Sequence, residues 1–109
     1  MSERHLNTLR SISNEDRLNA FRLLVKSGHN GVAAGEIGKE LCIKSSTMSS
    51  HLKVLRHANL VRVNREGRII RYFANMDEMN SLVSFLYENC CTGVEPKDHE
   101  DQETLEFSV

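Results

Sequence analysis

The chain has 109 residues, 39% of them hydrophobic and 27% charged, with a formal net charge of −1. That length and balance describe one compact domain, and the absence of any run near the ~20 apolar residues needed to cross a bilayer excludes a helical membrane span. The charge is unevenly placed: residues 92–109 hold six acidic residues and one lysine, leaving 13 basic and nine acidic residues, a net of +4, in residues 1–91. A basic body with an acidic tail suits contact with a phosphate backbone by the body while the tail stays clear of it. The opening MSERHLNTLR has no apolar segment of export-signal type, and three cysteines, two of them adjacent, fit a reducing compartment, so a cytoplasmic protein is expected.

In chain order, Leu6, Leu9 and Ile12 recur at helical spacing, and Ser13-Asn14-Glu15-Asp16 reads as a capping box that starts a second helix. Leu18, Phe21, Leu24 and Val25 give that helix its apolar stripe, and Gly28 and Gly31 stop it. Residues 33–41 read as a short third helix burying Ile37 and Leu41, with Gly35 and Gly38 pointing to close packing against a neighbour. Ser45 is positioned to cap a fourth helix, where Met48, Leu52 and Leu55 share one face. On the opposite face Ser46, Ser50, Lys53 and His57 point outward, with Thr47 on the flank. Small hydroxyls and a lysine there can approach base edges and phosphates, whereas the same face on a solitary helix would be no more than solvated.

That helix is followed by a hairpin pattern. Val61 and Val63 alternate with polar residues, Glu66-Gly67 marks a turn, and Ile70 and Tyr72 alternate on the return. Its tip carries Arg65 and Arg68 within reach of a phosphate backbone or a minor groove. A last helix is expected over about 76–90, with Met79, Leu82, Val83 and Leu86 in a stripe that Cys90 extends. A stripe of this kind needs a partner surface, which a second copy of the chain can supply across a two-fold axis. The expected fold is therefore mostly α with a small β-hairpin, a winged helix-turn-helix in the order α-α-α-α-β-β-α over residues 1–91. Residues 92–109 are expected to form an acidic, disordered tail. His99 among its acidic neighbours reads as a solvated residue, not a metal ligand.

Three segments carry a family resemblance. SISNEDRLNAFRLLV is similar to the first-to-second helix junction of the ArsR/SmtB metalloregulatory repressors, ELCIKSSTMSSHLKVLRHANLV to their helix-turn-helix core, and REGRIIRYFAN to their wing, so that the match spans about residues 5–91. The resemblance implies a homodimer joined through its first and last helices, repression by binding double-stranded operator DNA, and release when an inducer occupies a sensory site. It also implies where that site is. The third helix begins GVAAGEI and lacks the CxC of some arsenic sensors, and MDEMNSLVSFLYEN has no histidine for a zinc site across the dimer interface. LYENCCTG resembles the end of the last helix in a subset of arsenic-responsive members, although the further downstream cysteine that they often carry is missing.

Cys90 and Cys91 are thereby the candidate ligands for trivalent arsenic, antimony or an organoarsenical acting as inducer, with no permanent cofactor expected. Thiolates suit such soft centres. A third ligand, where one is needed, has three sources, Cys42, the other subunit or a small thiol, and a monosubstituted arsenical needs none. Cys42, inside the helix-turn-helix, is expected to pack as a small hydrophobe. Oxidation or persulfidation of the pair is the alternative sensing chemistry. From another class, the fold could serve as a protein-interaction module, which the exposed serines and wing arginines oppose. An enzyme is not expected, because no base is placed beside the cysteines and no Gly-rich phosphate loop is present.

Overall fold

The computed structural model describes residues 3–93. Five helices and a small sheet follow in the order α1 (Glu3–Ser11), α2 (Glu15–Ser27), a 3₁₀ turn (Gly28–Asn30), β1 (Val32–Ala33), α3 (Ala34–Leu41), α4 (Ser45–His57), β2 (Val61–Glu66), β3 (Ile69–Ala74) and α5 (Met76–Tyr87). The expected winged helix-turn-helix is present, with one addition. β1 pairs antiparallel with β3 through Val32 and Tyr72, making a sheet of order β1-β3-β2. Two residues are too few to show a strand period, so this pairing was invisible in the sequence. Residues 94–109, which include most of the expected tail and His99, lie outside the described residues.

The core is built where the elements cross. Ala20, Phe21 and Leu24 of α2, Ile37 of α3, Met48, Leu52 and Leu55 of α4, and Leu60 with Val61 at the start of the wing are all buried. The stripe expected on α2 is shifted: Leu18 and Val25 are 39% and 41% exposed, and Ala20 takes a buried place instead. A small residue there lets a neighbouring element approach closely. The cap of α2 is also displaced by one residue, since Asn14, not Ser13, accepts from the Arg17 backbone N–H at 3.0 Å. Ser13 instead donates to the Arg10 carbonyl.

The turn between α3 and α4 has definite geometry. Cys42 caps α3 in the left-handed region at φ 57°, and the Ile43 N–H returns to the Gly38 carbonyl at 2.9 Å. A Cβ on Gly38 would lie 3.0 Å from the Ile43 oxygen, which explains that glycine; Gly35 faces open space, so close packing does not explain it. Cys42 itself is exposed. The expectation that it packs as a hydrophobe is therefore corrected: a left-handed cap residue points its side chain out of the turn.

Candidate nucleic-acid interface and thiol pair

Burial of Met48, Leu52 and Leu55 fixes the rotation of α4, and it leaves Ser46, Thr47, Ser50, Lys53 and His57 exposed. The cap differs from expectation. Lys44, not Ser45, holds the N-cap position, and no side chain caps the helix. The first-turn amides of α4 therefore remain unpartnered by side chains, and with the helix dipole they favour a negative charge in front of Ser45 and Ser46. The Ser50 hydroxyl donates weakly to the Ser46 carbonyl at 3.4 Å, a bond that is easily exchanged for another acceptor.

The wing is a two-residue hairpin closing on the pair Glu66–Ile69. Gly67 has φ +65° while Arg68 has no positive φ, the signature of a type II′ turn, whose first central position favours glycine. Arg65 and Arg68 stand exposed at this tip. Arg71 lies 3.9 Å from Glu66 and also donates to the Asn30 carbonyl, which draws the one acidic side chain of the tip towards the sheet.

Sequence reasoning missed part of this surface. From Leu41 to Arg65 there is no aspartate or glutamate, while Lys44, Lys53, Arg56, Arg62 and Arg65 fall in that stretch. The acid-free run was the available signal. Lys44 and Arg56 are exposed, and among the described residues neither they nor Lys53, Arg65 and Arg68 form an ion pair; Arg62 is engaged by Asp77 at 3.2 Å.

α1 and α5 pack beside this unit through polar groups. Glu78, with 2% of its side chain exposed, receives Arg4 Nε at 2.9 Å and Arg4 Nη2 at 3.0 Å. It also accepts from Thr8 Oγ1 and from Asn59 Nδ2, each at 3.4 Å. His5 stacks on Phe85 with ring centroids 4.4 Å apart, and its Nε2 lies 3.0 Å from Ser81 Oγ. On α1 the buried residues are His5, Thr8 and Ser11; of the expected apolar positions Leu9 is 38% exposed, Leu6 is half-buried and Ile12 packs against the core. On α5, Leu82 is buried and Met79 packs on the core, whereas Val83, Leu86 and Tyr87 are exposed.

The hydrogen bonds from Arg4, foremost among the causes, hold the Glu78 carboxyl below its ordinary range against the opposing effect of burial. A depressed folded pKa means stability that is complete above the unfolded value near 4.5 and is lost as pH falls through the lower folded one. We expect Glu78→Gln to flatten the fall in urea midpoint below about pH 4.5. A midpoint-versus-pH curve identical to wild type would show that this carboxylate is not linked to folding.

Cys90 and Cys91 lie beyond the helix, not on its stripe. α5 ends at Tyr87, three residues earlier than expected, because Glu88 turns extended and Asn89 adopts φ 63°. The Cys90 N–H then closes on the Tyr87 carbonyl at 2.9 Å, and Cys91 takes φ 63°. This turn brings the two Sγ atoms to 3.2 Å. Cys90 is exposed and Cys91 half-buried. The hydrogen bond to Cys90, then burial, then the charge of Cys90 raise the Cys91 thiol above its ordinary range, so the second proton of the pair is held more tightly. Among the described residues no group of three or more His, Cys, Asp or Glu side chains comes together, so Cys42 is not a third ligand within the same subunit.

No helix among the described residues is long and apolar enough to cross a membrane. No family model matches the chain. The transcriptional repressor SdpR of Bacillus subtilis (strain 168) is 30% identical over 84 residues, covering 73% of this chain and 90% of that protein. The structure of reduced HlyU from Vibrio cholerae N16961 matches with a TM-score of 0.63 at 26% identity, over 81% of this chain and 90% of that one. The homodimeric winged helix-turn-helix DNA-binding domain Mb0332 (fragment 1–100) from Mycobacterium bovis, a possible ArsR-family regulator, matches at 0.65 over 80% of this chain and 81% of that one; at 22% identity that likeness is one of fold. Given the 30% identity to SdpR over nine-tenths of that repressor, on a winged helix-turn-helix frame, the chain belongs to the same family of transcriptional regulators, which are not enzymes.

Proposed function

We propose that the protein is a homodimeric repressor that binds double-stranded operator DNA through α4 and the wing and leaves it when Cys90 and Cys91 capture a thiophilic inducer, trivalent arsenic or antimony or an organoarsenical. The observation that carries the DNA reading is the acid-free run from Leu41 to Arg65, with the exposed face of α4 and uncapped amides at its leading edge. Ser46, Thr47 and Ser50 lie nearest the bases. Lys53, Arg65 and Arg68 meet phosphates. Replacing Arg68 by Ala should weaken binding to all sequences and reduce the salt slope by about one counterion, while Ser50→Ala should change sequence preference with the slope kept. Binding isotherms on operator and random duplexes at several salt concentrations test this, and equal effects of the two changes would undo the division of roles.

For the sensor, the 3.2 Å Sγ separation supports bridging by one soft atom. A direct disulfide is disfavoured, since adjacent Cα atoms are ~3.8 Å apart across a trans peptide and disulfides usually need about 4.4–6.8 Å. With a monosubstituted arsenous acid, each thiol gives up its proton and replaces one hydroxide on arsenic. Two As–S bonds form, two waters leave, and no electrons are transferred. Such a ligand needs no third thiol, in keeping with the absence of a third ligand near the pair among the described residues. The test is operator binding by the dimer with and without phenylarsine oxide: release at one equivalent per pair supports the reading, and retention at saturating arsenical overturns it.

A further inference from the structure

We propose that Asn59 and Glu78 are positioning residues that transmit inducer binding from α5 to the recognition helix α4, an inference that rests on the sensing role given above to Cys90 and Cys91. The geometry points to them because a side-chain hydrogen bond between Glu78 and Asn59 joins α5 to the segment that follows α4. Glu78 lies in the first turn of α5, and the cysteines follow directly after its last turn. A helix transmits displacement as a rod, and this one spans about 18 Å at ~1.5 Å per residue. Other α5 residues hold the rod to α1 and the core, and Glu78 is where it is tied to Asn59 beyond the end of α4.

The carboxylate is buried, so its bonds have no water to replace them, and one of its donors belongs to the residue two places beyond the end of α4. Asn59 donates from Nδ2 to Glu78 Oε1 at 3.4 Å and stands at φ 64°, a conformation that asparagine tolerates better than most residues. Its backbone carbonyl accepts from Asn75 Nδ2 at 2.8 Å. Asn75 in turn ties the wing, with its N–H on the Leu60 carbonyl at 2.8 Å and its Oδ1 receiving Arg62 Nη2 at 3.0 Å. Asn59 therefore joins three things at once: the buried acid of α5, the C-terminal end of α4, and the root of the wing. A shift of α5 of the size of one lost hydrogen bond must be accommodated there, where both DNA-contacting elements are attached.

Asn59→Gly isolates this role. Glycine accepts the left-handed backbone without strain, so the variant removes the side-chain link while keeping the turn. The readout is the ratio of operator affinities without and with phenylarsine oxide, measured alongside arsenical occupancy by intact-mass spectrometry. With wild type releasing by ~5- to 150-fold, the usual range of allosteric coupling, the variant should bind the arsenical fully and release by less than about threefold. Glu78→Gln, which keeps the shape and removes the charge, should lower the ratio in the same direction. A ratio within about twofold of wild type in Asn59→Gly, at full occupancy, overturns the proposal even if affinity itself falls, because a purely structural role would move affinity and spare the ratio. Should wild type show no release at full occupancy, the sensing role fails and the coupling with it.

Discussion

Replacing Cys90 or Cys91 by serine is expected to leave operator affinity within about twofold of wild type and to abolish release by trivalent arsenicals. Both residues lie in the turn after α5, away from α4 and the wing tip, so neither change removes a DNA contact. A serine hydroxyl is a poor ligand for a soft centre, and a single remaining thiolate cannot chelate. The loss should therefore be nearly complete for each single variant rather than halved. Cys42→Ser should release normally, since Cys42 joins no ligand group among the described residues. Because the two thiol protons leave in the two waters, the capture equilibrium should be nearly independent of pH while both thiols are protonated, and Cys91 holds its proton above the ordinary range. Fluorescence anisotropy on labelled operator checks all of these. Undiminished release in the double serine variant would move the sensory site elsewhere; release by peroxide or persulfide and not by arsenical would transfer the role of the same pair to redox chemistry.

The DNA-facing unit was the most legible part of the sequence. Met48, Leu52 and Leu55 repeat at helical spacing and are all buried, so the outward direction of Ser46, Ser50 and Lys53 follows from the period alone. The hairpin was equally plain, because alternation and a glycine at the turn constrain the register together. What failed to show was decided by contacts between distant segments. α1 reads as an apolar helix through Leu6, Leu9 and Ile12, yet its buried face is His5, Thr8 and Ser11, selected by Ser81, Phe85 and Glu78 some 70 positions away. Nothing local distinguishes Glu78 from any other first-turn glutamate, whose usual reading is dipole complementarity on a solvated face. Likewise the period of α5 could be continued to Cys90 on paper, whereas the chain leaves the helix at Glu88 and Asn89.

The apolar residues left exposed on α1 and α5 bear on assembly. Leu9 on α1 and Val83 and Leu86 on α5 are 38%, 46% and 57% exposed, and the two α5 residues fall at i and i+3 on one face. Leu82 and Met79 already face the body, so Leu9, Val83 and Leu86 are apolar residues left over, and in the homodimer proposed above a second copy supplies the same surface across a two-fold axis. In such an isologous interface each substitution acts twice. Fully burying a leucine side chain stabilises by about 1.5–3 kcal/mol, and placing a carboxylate there adds a desolvation cost of several kcal/mol per ion in the absence of a counter-charge. Leu86→Glu should therefore weaken the dimer by at least ~100-fold, or about 2.7 kcal/mol. Because a monomer grips a single half-site, affinity for a two-half-site operator should drop by a comparable factor. Leu18→Glu provides the control: this leucine is also 39% exposed, but it lies on α2, outside the α1–α5 surface, and its replacement should leave the dimer intact. Sedimentation velocity across a micromolar dilution series separates the two variants, and a Leu86→Glu protein that sediments as wild type would remove α5 from the dimer interface.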